Sequence, residues 1–333
     1  MIKNSNRVVL CAAAALVVVA SPALAQNLGT FALPAAGVDI AIARSGAAVA
    51  TISGSGLLWV QDSTETGRTI TLDPNDYSVV LTRDGSIARL QSATSKSMYE
   101  VQLASDLVSL RSYSADTTVL AVTPDEKTIL TGLVDNTLLV TTAELYVDLG
   151  TVALEGVPRA VVISPNSKFA FVATGVAGNK LVKINISKRT IVQKMRSAGA
   201  ISRLAIAPNG AFIYATVSRT LSDGSTRHTL EVFDVARGSR VQSRKIQVAG
   251  GQPTTFDIEA SKSSIYLSST QPLVVGSREA GVIRFPLSTS TLGSPKVFAN
   301  PATGAGALAI NLTTKKLGVV NTASPSVTFV KIP

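Results

Sequence analysis

An internal repeat constrains this chain more than any other feature. Residues 156–172 read as an apolar run, a Ser164-Pro165-Asn166 turn and a second run carrying Phe169 and Phe171. Residues 199–214 repeat the plan around Ala207-Pro208-Asn209-Gly210 and end on Tyr214. Thr123-Pro124-Asp125, Arg83-Asp84-Gly85 and Arg44-Ser45-Gly46 mark earlier copies, and the segments 256–262 and 309–315 are weaker later ones. Taking Arg44, Arg83, Pro124, Pro165, Pro208, Ala260 and Leu312 as one column, the spacings are 39, 41, 41, 43, 52 and 52 residues. Seven units of this length match a four-stranded propeller blade.

Local composition supports that reading. Each unit holds short runs rich in β-branched residues, bounded by Gly, Asn, Asp or Pro. The first run of each unit is almost continuously apolar, as a strand covered on both faces requires. The third alternates, as in Leu230-Glu231-Val232-Phe233-Asp234-Val235. One blade cannot cover its own faces, so blades stacked in a ring supply the core and leave only short edges. The expected fold is all-β, a seven-bladed β-propeller of four-stranded blades. The last unit supplies only three strands, at 307–310, 317–321 and 327–332, while residues 29–33 form an unassigned strand at the other end. The N-terminal strand is therefore expected to join the last blade and close the ring.

The repeats resemble the YVTN/WD40-like repeats of bacterial β-propellers. The residues carrying the resemblance are Gly156 with Pro158, Gly251 with Pro253, Ser164-Pro165-Asn166, Ala207-Pro208-Asn209-Gly210 and Val232-Phe233-Asp234. The middle blades match best, and no WD dipeptide with a paired GH occurs. The resemblance implies the fold. It leaves function open, since propellers of this kind serve as binding proteins, assembly factors and some lactonases or quinoproteins.

Residues 1–25 read as an export signal. Lys3 and Arg7 form a basic start, residues 8–20 an apolar stretch too short to span a membrane comfortably, and Ala23-Leu24-Ala25 an A-x-A cleavage site. The predicted mature chain, 26–333, is one domain with no cysteine, because Cys11 lies inside the signal. That suits a periplasmic or secreted protein. No later apolar run is long enough to suggest a transmembrane helix.

Composition and motifs exclude much chemistry. With one Cys and one His, no Cys-built metal site or His cluster is available. No nucleophile elbow, phosphate loop, H-E-x-x-H or haem-attachment motif appears. No catalytic residue, metal ligand or cofactor is nominated, and His228 is expected in a hairpin loop. Trp59 is expected to pack within the first blade.

Propeller ligands usually sit where the inner strands begin. The column at that level reads Asp39, Ser78, Val119, Ala160, Arg203, Thr255 and Ala307, and the column before it includes Tyr77, Thr118 and Arg159. Arg159 and Arg203, from adjacent blades, are positioned to converge on an anion; Tyr77 and Asp39 are the other channel-mouth candidates, with Asp39, from the first blade, alternatively the distant counter-charge of the arginines. Asp257 and Glu259, two apart, are expected near the far end of their strand. A small-anion site or a lactonase-like hydrolase at this channel mouth is one functional reading.

The other reading comes from charge and loop length. The formal charge of +10 hides a division: residues 26–150 hold 7 basic and 14 acidic side chains, residues 151–333 hold 22 and 7. A ring of successive blades turns this into an acidic sector and a basic one. Blades five and six also carry extra length at 218–227 and 269–280, with Arg219, Arg227 and Arg278. Together with Lys183, Lys188, Arg189, Lys194 and Arg196, these arginines form the candidate surface for an acidic protein or an anionic envelope component. Nucleic acid is not expected, because the basic runs lack interleaved aromatics and the signal removes the chain from the cytoplasm.

Overall fold

A computed structural model describes residues 26–333 except 62–66, 176, 250–253, 289–290, 300–304 and 322–323. Seven antiparallel sheets follow one another around the ring, the first six with their strands in sequence order from the centre outwards and the seventh with three C-terminal strands and the N-terminal strand outermost. Their innermost strands are Gly37–Ile42, Ser78–Leu81, Thr117–Val122, Ala160–Ile163, Ala200–Ile206, Phe256–Ala260 and Ala305–Asn311, which define blades 1 to 7. Each innermost strand contacts the next around the circle, and blade 7 returns to blade 1. The protein is an all-β, seven-bladed propeller. The expected signal segment, and Gly251 and Pro253 of the repeat pattern, lie outside the described residues.

The repeat motif has a mechanical explanation. In blade 4 the Ser164 hydroxyl donates to Asn166 Oδ1 at 2.7 Å and accepts the Phe169 N–H at 2.9 Å, which locks the inner hairpin. Thr123 in blade 3 and Thr82 in blade 2 accept the equivalent amides of Thr128 and Ile87. Successive turns then bond to each other: Asp125 N–H donates to Ser167 Oγ and Arg44 N–H to Arg83 O. The glycine that opens the repeat is explained by close approach. A Cβ on Gly156 would fall 2.6 Å from the Gly175 backbone, and one on Gly199 2.4 Å from Ser218 O.

The core lies between blades rather than within them. Val49, Leu58 and Val60 of blade 1 interleave with Val79, Leu90 and Val101 of blade 2, all buried. Phe171 and Leu181 of blade 4 do the same with Ile213 and Phe233 of blade 5. Burial of this kind, worth about 1.5–3 kcal/mol per large side chain, is why a single unit has no independent stability.

Closure occurs as expected. The strand Asn27–Ala32 pairs antiparallel with Ser326–Lys331 as the outermost strand of blade 7. Thr30 and Thr328 hydroxyls meet at 3.1 Å, and Leu33 N–H donates to Pro325 O. Phe31 sits 5.9 Å from the Phe329 ring and 6.0 Å from Trp59 of blade 1, so it ties the closing blade to its neighbour. Trp59 is 4 % exposed, within the first blade as its sequence context suggested. At the opposite end of the blades, Asn311 donates from blade 7 to Ala43 O of blade 1 at 2.6 Å.

Candidate functional site

Strand direction assigns every loop to one of two faces. Innermost strands begin on the face that also carries the interblade links and the turns between second and third strands. The opposite face carries the remaining turns. Asp39, Arg159 and Arg203 therefore share the first face with the extra length of blades 5 and 6.

The channel mouth on that face encloses about 620 Å³. Its wall includes Asp39, Gln91, Thr118, Arg159, Arg203, Asp257 and Glu259. Arg159 and Arg203 are exposed on it. Arg203 Nε lies 3.8 Å from Asp257 Oδ1, while Arg159 has no ion pair among the described residues.

Asp39 is not a free rim charge. Its Oδ1 accepts its neighbour Ile40 N–H at 2.9 Å, and its Oδ2 accepts Val79 N–H of blade 2 at 2.9 Å. Asp257 makes the same two bonds, from Ile258 N–H at 3.0 Å and from Leu308 N–H of blade 7 at 2.7 Å. Amides on the inner edge of a blade have no further strand to pair with, and these carboxylates satisfy them.

Two expectations are corrected here. Asp257, not Thr255, is level with Asp39, and Asp257 stands near the start of its strand rather than the far end. The cause is the blade 6 hairpin, where Ser261 N–H already pairs with Ser264 O. Its turn is two residues shorter than the Ser164-to-Phe169 turn of blade 4, so an alignment on the Pro-Asn spacing slips by two. Tyr77 also leaves the channel. It is 2 % exposed between blades 1 and 2, donates to Asp73 O at 2.9 Å and meets Tyr99 edge-on at 5.6 Å.

Burial shapes the channel carboxyls. Desolvation raises Asp39 to about 6, the nearby Asp257 adding to the rise while the Val79 and Ile40 amides and Arg203 oppose it. Asp257 is raised by desolvation against Arg203 and its two amides. Glu259, one step deeper, is pushed well above its ordinary value by desolvation and by both aspartates. Among the described residues no group of three or more His, Cys, Asp or Glu is arranged to hold a metal ion.

The extra length of blades 5 and 6 is not irregular loop. It extends the strand pair Phe212–Thr220 with Thr226–Asp234, and the pair Ser264–Val275 with Arg278–Ser288. Between these hairpins lies a groove of about 870 Å³ lined by Ser218, Thr226, Arg227, His228, Lys245 and Val274 among others. Its lining includes two cations and no carboxylate. His228 sits in the second strand of the blade 5 hairpin rather than in a loop. Its Nδ1 pairs with Ser218 Oγ at 2.9 Å, its ring meets Phe256 at 5.0 Å, and burial lowers its pKa. Arg219 and Arg227 are exposed and directly opposite each other in the ladder. Arg278 is exposed where the blade 6 hairpin turns.

The basic cluster of blade 4 does not form one patch with these arginines. Lys188 and Arg189 occupy a turn on the opposite face. Lys183 Nζ lies 4.4 Å over the Phe169 ring. Lys194 donates to Glu155 at 2.7 Å, and Lys180 pairs with the same carboxylate. Arg196 is exposed on the hairpin face. Arg240 is taken up as well, pairing with the fully buried Glu231.

Fold and site together define a seven-bladed propeller with a charged channel mouth and two raised hairpins on one face. Comparison with known protein families and with curated proteins finds no match for this chain. No helix among the described residues is long and apolar enough to cross a membrane.

Proposed function

We propose that this protein is an exported, non-catalytic binding propeller of the YVTN/WD40-like kind, which recognises an acidic protein or an anionic envelope component through its hairpin face. The observation that carries this reading is the Arg219–Arg227 pair. Like charges directly opposite in a ladder destabilise it, and here both guanidiniums are exposed with no ion pair among the described residues. Asp223, at the tip, is held by the Ser225 amide and hydroxyl. Forked donors that face each other and the Arg227–Lys245 groove suit an extended polyanion.

Export rests on the sequence pattern of residues 1–25, and periplasmic or secreted localisation follows from it. Hydrolysis at the channel mouth is less favoured, because Asp39 and Asp257 are occupied in joining blades. The test is retention on immobilised polyglutamate across a salt series. Reversing Arg219, Arg227 and Arg278 to Glu should abolish retention, while reversing Lys188 and Arg189 on the other face should leave most of it. Retention insensitive to salt, or lost equally with both sets, would overturn the reading.

A further inference from the structure

The channel mouth is divided by charge into two arcs. Going round the ring, blades 2 to 5 contribute Gln91, Thr118, Arg159 and Arg203, and blades 6 and 1 contribute Asp257, Glu259 and Asp39. The first arc offers hydrogen-bond donors, two of them cationic, and the second offers carboxylates. At the blade 5–6 junction of the arcs, Arg203 Nε stands 3.8 Å from Asp257 Oδ1.

Each arc has unspent capacity. Gln91 is 2 % exposed, yet its amide nitrogen has no hydrogen-bond partner, and the Thr118 hydroxyl is likewise buried and unpartnered. Leaving a buried donor unpaired costs about 1–3 kcal/mol; these two groups lie within the channel wall on blades 2 and 3, and the exposed, unpaired Arg159 on blade 4 presents the free donors of this arc to the mouth. On the other arc Glu259 has no ion pair among the described residues. Desolvation of its carboxyl would be relieved by a cation.

We infer that the channel mouth binds a small zwitterion, a free amino acid or short peptide whose carboxylate meets Arg159 and Arg203 while its ammonium meets Glu259 and the Asp39–Asp257 side. A simple anion satisfies only the first arc and faces repulsion from the second. A simple cation does the reverse. Only a ligand carrying both charges uses both arcs, and a mouth of about 620 Å³ leaves room for one or two residues. Specificity of this kind comes from the penalty for leaving one arc unpaired.

This inference is independent of partner recognition by the hairpins, and the triple reversal of Arg219, Arg227 and Arg278 should leave it unchanged. Calorimetric titrations with glycine, glycylglycine, acetate and methylammonium, at matched ionic strength, test it. Glycine or glycylglycine should bind, with acetate and methylammonium at least tenfold weaker. Arg159→Ala and Glu259→Gln should each weaken zwitterion binding at least tenfold. Arg159 is exposed, so its variant should fold, and Glu259→Gln replaces a half-buried carboxyl whose charged form is disfavoured and should not lower the thermal midpoint. Acetate binding as tightly as the zwitterion would make this an anion site, and equal methylammonium binding a cation site. Either result, the absence of binding by both zwitterions, or unchanged affinity in both variants would overturn the inference.

Discussion

Asp39 and Asp257 make the same pair of hydrogen bonds at equivalent positions of blades 1 and 6, each joining its own inner strand to that of the next blade. The two carboxylates therefore act as interblade clips before they act as anything else. Replacing either by Ala leaves the Val79 or the Leu308 amide unpaired. The expected loss is about 1–3 kcal/mol for each variant. Denaturant unfolding of Asp39→Ala and Asp257→Ala checks this, and the Asn variants, which keep an acceptor oxygen, should lose less.

The same carboxyls make stability depend on pH in an uncommon direction. Asp39 has a folded-state value near 6, above the 3.8 of the free side chain, and Asp257 and Glu259 are shifted the same way. Between about pH 4 and pH 6 the folded state holds more protons than the unfolded chain, so stability falls as pH rises through that window. The three groups interact, and their titration belongs to the set. The thermal midpoint should rise on going from pH 7 to pH 5. Asp39→Asn combined with Glu259→Gln should flatten most of that rise.

Ring closure rests on a short N-terminal strand. Deleting residues 27–33 removes the outer edge of blade 7 and takes away Phe31, the ring between Phe329 and Trp59. Because the core lies between blades, the loss should lower the thermal midpoint of the whole protein in one transition. An unchanged midpoint would show that the strand is dispensable. Phe31→Ala alone should cost about 1–3 kcal/mol, somewhat less than a fully buried Phe, since Phe31 is only half-buried.

The blade 5 hairpin should show a trade between stability and binding. Arg227→Glu places a carboxylate opposite Arg219 and turns a repulsive cross-strand pair into an attractive one. Stability should rise by about 0.2–1 kcal/mol at low salt, and the gain should shrink as salt is added. Retention on polyglutamate should fall in the same variant. Thermal melts and column elution measured on one preparation separate the two effects.

Glu231 has no exposure to solvent, accepts the Ala198 N–H and pairs with Arg240. Arg240→Ala leaves that carboxylate buried without its cation. The expected destabilisation is about 3–5 kcal/mol, read by chemical denaturation, and Glu231→Gln in the same background should restore part of it.

Legibility from sequence differed between the fold and the site. The Ser164-Pro165-Asn166 and Ala207-Pro208-Asn209 turns gave away the blades, because a turn whose Asn accepts the amide two residues on, from Lys168 or Ala211, recurs at the blade period. The unassigned strand at 29–33 and the three-stranded last unit were enough to anticipate closure. Blade 6 broke that spacing with a hairpin two residues shorter, which hid Asp257 two positions away from Asp39. Tyr77 was misplaced because adjacent strand residues alternate between the channel and the interblade core, and one column of an alignment does not say which way each points. Gln91, on a second strand, lay outside the columns altogether, and its burial beside the channel has no sequence signature.

Local chemistry along the chain thus determined the strands, the turns, the number of blades and the unequal distribution of charge. These follow from periodicity and composition, which are properties of neighbours in sequence. Tertiary structure alone decided which charges are free. Strand pairing within blade 5 set Arg240 beside Glu231, folding of blade 4 brought Lys194 to Glu155 in the link before it, and packing of blade 5 on blade 6 brought Arg203 to Asp257, while strand direction set Lys188 and Arg189 on the face away from Arg219 and Arg227. Pairing energies depend on separations of a few ångströms between strands, links and neighbouring blades, and those separations exist only once the chain has folded.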